Sequence, residues 1–180
     1  VELQGQDVTL QGNLIITDAV TNAPPIEGFT FSNSNRIHFY STGSVIVRNC
    51  DFTNGGEVTI EPPQTAPSTT EVLLEGLEGC RINIYDDQDR NERVGPMFQV
   101  SVRDVSNCIL FIFGRGDRQG GSSFEVTNSQ LNGLEHSSGS LNVRNCEISG
   151  SFFSRDAKSC VVSDTQLARF SSERTANSSL

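Results

Sequence analysis

The sequence predicts an all-β chain wound as a parallel β-helix, a solenoid of about seven to eight coils, on three observations. One short phrase recurs: two apolar residues one apart, a spacer, an Asn-like turn residue, a small residue, a spacer, and another apolar residue. It reads Val45-Ile-Val-Arg-Asn-Cys-Asp-Phe52 and again Leu141-Asn-Val-Arg-Asn-Cys-Glu-Ile148. Weaker copies are Phe29–Ser34, Phe124–Leu131 and Cys160–Leu167. The turn positions Asn33, Asn49, Gly79, Asn107, Asn128, Asn145 and Asp164 recur at intervals of 16, 30, 28, 21, 17 and 19 residues. Their mean of about 22 lies in the range of stacked repeats that each touch only their neighbours. Helical signals are poor: there are 16 Gly, and no window sustains apolar spacing of three and four.

Each element follows from alternation. Val1 and Leu3 open an alternating pattern at the start of the chain, which marks it as a processed product or part of something longer. In Val45-Ile-Val-Arg48, Val45 and Val47 face one side while Ile46 and Arg48 face the other. Asn49 tolerates the left-handed backbone region and turns the chain, so that Cys50 and Phe52 feed the same interior. Val72–Ile84 lies 28 residues before the matching Val100–Ile112. Phe124/Val126, Leu141/Val143 and Val162 continue the pattern, each followed by its own turn. The expected inward set is Val45, Val47, Phe52, Val100, Val102, Ile112, Val126, Val143, Ile148 and Val162. The length suits one domain, residues 1–180, with ample chain for a core.

A net charge of −9 argues against a nucleic-acid backbone or an anionic membrane as partner. The longest apolar run, Cys108–Phe113, is far short of a membrane span. Five Cys cannot all pair within one chain. Cys50, Cys80, Cys108 and Cys146 each follow Asn or Gly, which suits an interior ladder of small thiols. A metal centre is the competing reading, but there is no C-x-x-C pair, and His38 and His136 stand alone. No metal or cofactor is expected.

Three insertions interrupt the short turns: Glu61–Glu71, Asp86–Pro96 and Gly114–Ser123. Each lies between the strand after one turn and the strand before the next, so all three are expected to leave the coil at one corner. Insertions on one face of a solenoid often form its binding face. That face would carry Asp86, Asp87, Asp89, Arg90, Glu92, Arg93, Arg115, Asp117 and Arg118. It would be a carbohydrate or protein contact surface, with a cation on the Asp cluster as a further option. The plainer alternative is a set of solvated loops whose charges offset one another.

The phrase at 45–52, with Gly28-Phe-Thr-Phe-Ser-Asn-Ser-Asn-Arg-Ile37 upstream, resembles the right-handed parallel β-helix repeats of the pectin-lyase-like superfamily over about residues 26–170. That resemblance implies the fold and its hand, but not an activity, since the superfamily spans lyases, hydrolases and non-catalytic phage tailspikes. Pectate lyases carry acidic Ca²⁺ ligands on strands and a strand Arg or Lys as base; here Asp86–Asp89 is expected in a loop and Lys158 is the one Lys. Of the polygalacturonase-like elements only an Asp86-Asp87 pair is present. A second resemblance, over residues 72–113, is to cofactor C-like adaptor domains, through Val102-Arg-Asp-Val-Ser-Asn-Cys108; their Gln-Leu-Arg-x-His element is missing.

The expectation is therefore a non-catalytic structural or receptor-binding module, a spike or decoration element of a virus-like or phage particle. It would be found on a virion or outside the cell. Its partners would be copies of itself, with a trimer favoured, other particle proteins or a surface glycan. The alternatives are a polysaccharide-degrading enzyme and an adaptor of the cofactor C type.

Overall fold

A computed structural model of the chain describes residues 3–17, 24–32, 34–40, 44–61, 70–86, 98–114, 122–175 and 177–179, with side chains from Val8 onward. The described residues form strands and turns and no helix. In chain order the strands are β1 (Leu3–Leu10), β2 (Leu14–Ile16), β3 (Ile26–Phe31), β4 (Arg36–Phe39), β5 (Val45–Arg48) and β6 (Asp51–Phe52). There follow β7 (Glu57–Ile60), β8 (Thr70–Glu75), β9 (Arg81–Tyr85), β10 (Phe98–Arg103), β11 (Ser106–Phe113) and β12 (Ser123–Thr127). The last are β13 (Gln130–His136), β14 (Ser140–Arg144), β15 (Glu147–Arg155), β16 (Ser159–Ser163), β17 (Gln166–Glu173) and β18 (Asn177–Ser179).

The strands stack as two parallel walls. Wall A runs β1-β3-β5-β8-β10-β12-β14-β16-β18, with β6 paired to the end of β3; wall B runs β2-β4-β7-β9-β11-β13-β15-β17. The chain alternates between the walls, so each rung pairs with the rung one coil away. The fold is a parallel β-solenoid of about six turns. Six strands of wall B have neighbours on both sides, and an end coil flanks them at each extremity. The count falls slightly below the seven to eight coils expected from the repeat spacing.

One corner, from wall A to wall B, is a ladder of left-handed residues. Gly28 (φ 77°), Asn49 (50°), Gly76 (61°), Asp104 (55°), Asn128 (53°), Asn145 (52°) and Asp164 (48°) occupy it. These are Gly, Asn and Asp because other side chains pay a steric penalty at positive φ. Amides climb the ladder: Asn49 N–H donates to Glu75 C=O (2.9 Å), Gly76 to Arg103 (3.1 Å), Asp104 to Thr127 and Asn145 to Ser163 (both 3.2 Å). Asn145 Nδ2 also donates to Asn128 Oδ1 at 2.8 Å.

Two expected turn positions shift by three. Gly79 and Asn107 are left-handed, yet the ladder residues of those coils are Gly76 and Asp104. Asn107 is the extra residue where pairing with β13 slips between Ser106 and Cys108, a β-bulge. Asn33 lies outside the described residues, and the ladder residue of its coil is Gly28.

Alternation fills the interior. All ten expected inward residues are buried, alongside Phe31, Phe39, Phe98 and Phe152. Phe31 and Phe52 stack in adjacent coils with centroids 4.8 Å apart. All five Cys are free and buried, but they do not share one place in the repeat. Cys50 and Cys146 directly follow the ladder turn, whereas Cys80 and Cys108 follow the bulge. The Cys80 and Cys108 sulfurs lie 3.4 Å apart. That hydrogen bond and burial hold the Cys80 thiol well above its ordinary pKa, and burial pushes Cys160 up to about 11. Protonated buried thiols are poor nucleophiles.

Candidate functional site

The opposite corner, from wall B back to wall A, is where the insertions attach. The stretches 62–69, 87–97 and 115–121 each follow a wall B strand (β7, β9, β11) and precede a wall A strand (β8, β10, β12). Their attachment points thus share one side of the solenoid. Of the charged residues expected on this face, Asp86 is described. Asp87, Asp89, Arg90, Glu92, Arg93, Arg115, Asp117 and Arg118 lie outside the described residues.

Asp86 sits at the root of that corner, half-buried, in a polar cluster that ties three coils. Its backbone N–H donates to Phe113 C=O at 2.7 Å. Its carboxylate accepts from the Ser122 hydroxyl at 3.0 Å and from the Ser138 hydroxyl. Ser122 Oγ in turn accepts the Phe98 N–H at 3.1 Å. Asp86 and Phe98 bracket the stretch 87–97, so Ser122 of the next coil gathers both of its stems.

His136 extends the cluster inward and is fully buried. Its Nε2 faces the Ser138 carbonyl, which can only accept, so Nε2 carries the proton. Nδ1 therefore accepts from the Ser154 hydroxyl at 3.2 Å, and Ser154 Oγ lies 3.2 Å from Thr175 Oγ1. Burial lowers the His136 pKa from 6.5 to about 4, so the ring is neutral near neutral pH. Asp86, Ser138 and His136 do not form a nucleophilic relay. The carboxylate bonds to the serine hydroxyl, and the imidazole bonds to the serine's backbone. The cluster is built to hold a corner.

A concavity among the described residues lies on the outer face of wall A. A groove of about 740 Å³ crosses six rungs, β5, β8, β10, β12, β14 and β16. Its floor is set by register: Glu71, Gln99, Ser123, Ser140 and Ser159 form one outward column, and Leu73, Ser101, Glu125, Asn142 and Val161 the next. The groove exists because Ser101, Ser123, Ser140 and Ser159 are short and leave the sheet backbone open between longer neighbours. At roughly 4.8 Å per rung it runs about 24 Å. It offers hydroxyls and amides along its length, carboxylates at Glu71 and Glu125, and apolar contact at Ile46, Leu73 and Val161. Arg144 pairs with Glu125 at 3.3 Å.

None of the charged residues expected on the insertion face lines this groove, although Glu71 and Ser123 end the first and third insertions. The signal of the groove residues was present in the outward alternates of each strand, but it shows only once the register is known. Among the described residues no three His, Cys, Asp or Glu side chains converge as metal ligands. Comparison with family models, curated proteins and solved structures finds no match. Fold and site thus define the chain as a parallel β-solenoid with a largely apolar groove, studded with short polar side chains, across one wall.

Proposed function

We propose that this protein is a non-catalytic binding module, a spike or decoration element of a virus-like particle, which holds an extended neutral glycan in the wall A groove. The observation that carries this reading is the groove itself. It is long and shallow, it carries hydroxyl or amide side chains at five of its six rungs, and apolar residues flank them. A linear polymer of hydroxyl-bearing rings matches that repetition better than a compact metabolite does. Glu71 and Glu125 within it, and a chain charge of −9, disfavour anionic polysaccharides. Rigid strands hold the site, so little ordering is lost on binding.

A polysaccharide lyase or hydrolase is the competing reading. The groove's two carboxylates sit two rungs and two residues apart, which places their Cα atoms roughly 12 Å from one another. Glu125 is engaged by Arg144, whereas a glycosidase needs two carboxyls facing one bond. Binding without cleavage fits this arrangement better.

The test is a panel of neutral and anionic oligosaccharides measured by calorimetry, with Ser140→Trp as the variant that fills the groove floor. Binding of a neutral member, lost in Ser140→Trp while the thermal transition is kept, is the expected result. Binding unchanged by that variant, or confined to anionic chains, overturns the reading.

A further inference from the structure

The outer face of wall B has a different character. Tyr85, Phe111 and Phe113 form a stacked ladder, with centroids 5.2 Å apart for Tyr85–Phe113 and 5.5 Å for Phe111–Phe113. Phe153 stands two rungs further on, and Arg81 and Arg155 lie over the Phe111 and Phe153 rings at 4.7 and 5.6 Å. An aromatic patch on a sheet face rimmed by charge is the composition of a protein–protein interface.

The register identifies the occupant. Along one outward column the rungs read Glu61 (beside the end of β7), Tyr85, Phe113, Ser137 and Arg155. The column is centred on Phe113, with opposite charges two rungs away on either side. A two-fold axis in the plane of the face, along β11, reverses the order of rungs and keeps the columns. It sets Phe113 against Phe113 of the second copy, Phe111 against Phe111, and Glu61 against Arg155 of the second copy, twice. On the next column Asn83 is buried and donates to its own Glu57, so it stays beneath the contact. The like-charged match, Arg36 with Arg169, falls at the end of the face, where Arg36 already pairs with its own Glu57 at 3.7 Å. Glu61 and Arg155 are half exposed; Glu61 lies 3.3 Å from His38, and Arg155 lies 3.8 Å from Asp156 and over the Phe153 ring.

We infer that wall B is a self-complementary interface through which two copies of this chain pack face to face, about a two-fold axis running along β11. The axis along β11 matches seven of the eight rungs, β2 having no counterpart, and at roughly 4.8 Å by five residues at 3.3 Å they give a flat area near 550 Å² per copy. Corrugated by large side chains, that approaches the roughly 800 Å² per partner of a standard interface. The pairing replaces the three-fold association expected of spikes. It is independent of the groove, which it leaves free on the opposite wall of each copy.

The experiment is a native mass measurement by light scattering on the wild type, Glu61→Arg, Arg155→Glu, and an equimolar mixture of the two variants. The wild type should be a dimer. Each single variant places like charges together at both contacts and should weaken association about tenfold or more. The mixture should return to dimer mass, because a Glu61→Arg copy opposite an Arg155→Glu copy satisfies both contacts. Circular dichroism checks that each variant is folded, and glycan binding in each reads the groove separately. A monomeric or trimeric wild type, single variants that dimerise as the wild type does, or a mixture that stays monomeric would overturn the inference.

Discussion

Asp86 and Ser138 stand 52 positions apart in the chain and meet across two coils, the Ser138 hydroxyl donating to the Asp86 carboxylate. That contact turns the insertion corner into a fixed point of the solenoid. It also joins the corner to the buried imidazole of His136, which bonds to the carbonyl of the same serine. Stability of the whole coil and placement of the insertion stems are therefore linked through a few polar atoms.

Replacing Asp86 tests that link. Asp86→Ala leaves the Ser122 and Ser138 hydroxyls without their acceptor and should cost about 2 kcal/mol, as expected for unsatisfied buried polar groups. Ser138→Ala removes one donor and leaves the Asp86 carboxylate its bond from Ser122, so it should cost less. In the double variant the losses should not add, because both act on one contact. Denaturant unfolding of the three variants measures this, and additive losses would show the contact to be immaterial.

His136 gives the fold an acid limit. Its folded pKa, about 4, lies below the unfolded 6.5, so the unfolded chain takes up the proton more readily. The neutral ring's contribution is intact above pH 6.5. It is lost as pH falls from 6.5 toward 4, and the loss is complete at about 3 kcal/mol below that. The measurement is the difference in unfolding free energy between the wild type and His136→Gln across this window. A difference that stays flat with pH would refute the assignment.

The turn ladder makes a conformational prediction. Asn145 has φ 52° and donates to Asn128. Asn145→Ala forces a β-carbon into the left-handed region and breaks that bond, for about 1 to 2 kcal/mol. Asn145→Gly removes the strain and loses only the bond, so it should fall between Asn145→Ala and the wild type. Thermal unfolding ranks the three.

Gly150 marks a close approach in β15. A Cβ there would lie 1.9 Å from the Asn132 carbonyl oxygen, whereas one on Gly12 would meet nothing within 4 Å. Gly150→Ala should destabilise by about 3 kcal/mol or more, through forced displacement of paired backbone. Gly12→Ala should be nearly neutral. Equal effects of the two would contradict the packing of β13 on β15.

The sequence carried the fold well because period-2 alternation and Asn-like turns are local signals. Val45, Val47 and Asn49 announce a strand and a turn without reference to any other coil. The register between coils was less legible. Gly79 and Asn107 look like turns and are left-handed, but the extra residue at Asn107 is a bulge, and the true ladder residues Gly76 and Asp104 stand three positions earlier. The same offset divides Cys50 and Cys146 from Cys80 and Cys108. Neither outer face could be read from the chain. Ser101, Ser123 and Ser140 look like ordinary polar strand residues until pairing aligns them in a groove. Glu61 and Arg155 are 94 positions apart and come into relation only when pairing sets them in one column. The bond between Asp86 and Ser138 escaped for the same reason, since Asp86 reads as the first residue of an acidic loop.

Amide chemical-shift mapping during titration with a bound neutral oligosaccharide tests whether the wall A groove is the binding site. The expected result is perturbation of Ser101, Ser123 and Ser140 and their rung neighbours, little change at Phe111 and Phe113, and an oligosaccharide recovered at its original mass. Perturbation confined to wall B or to residues 87–93, or recovery of shortened chains, would contradict it.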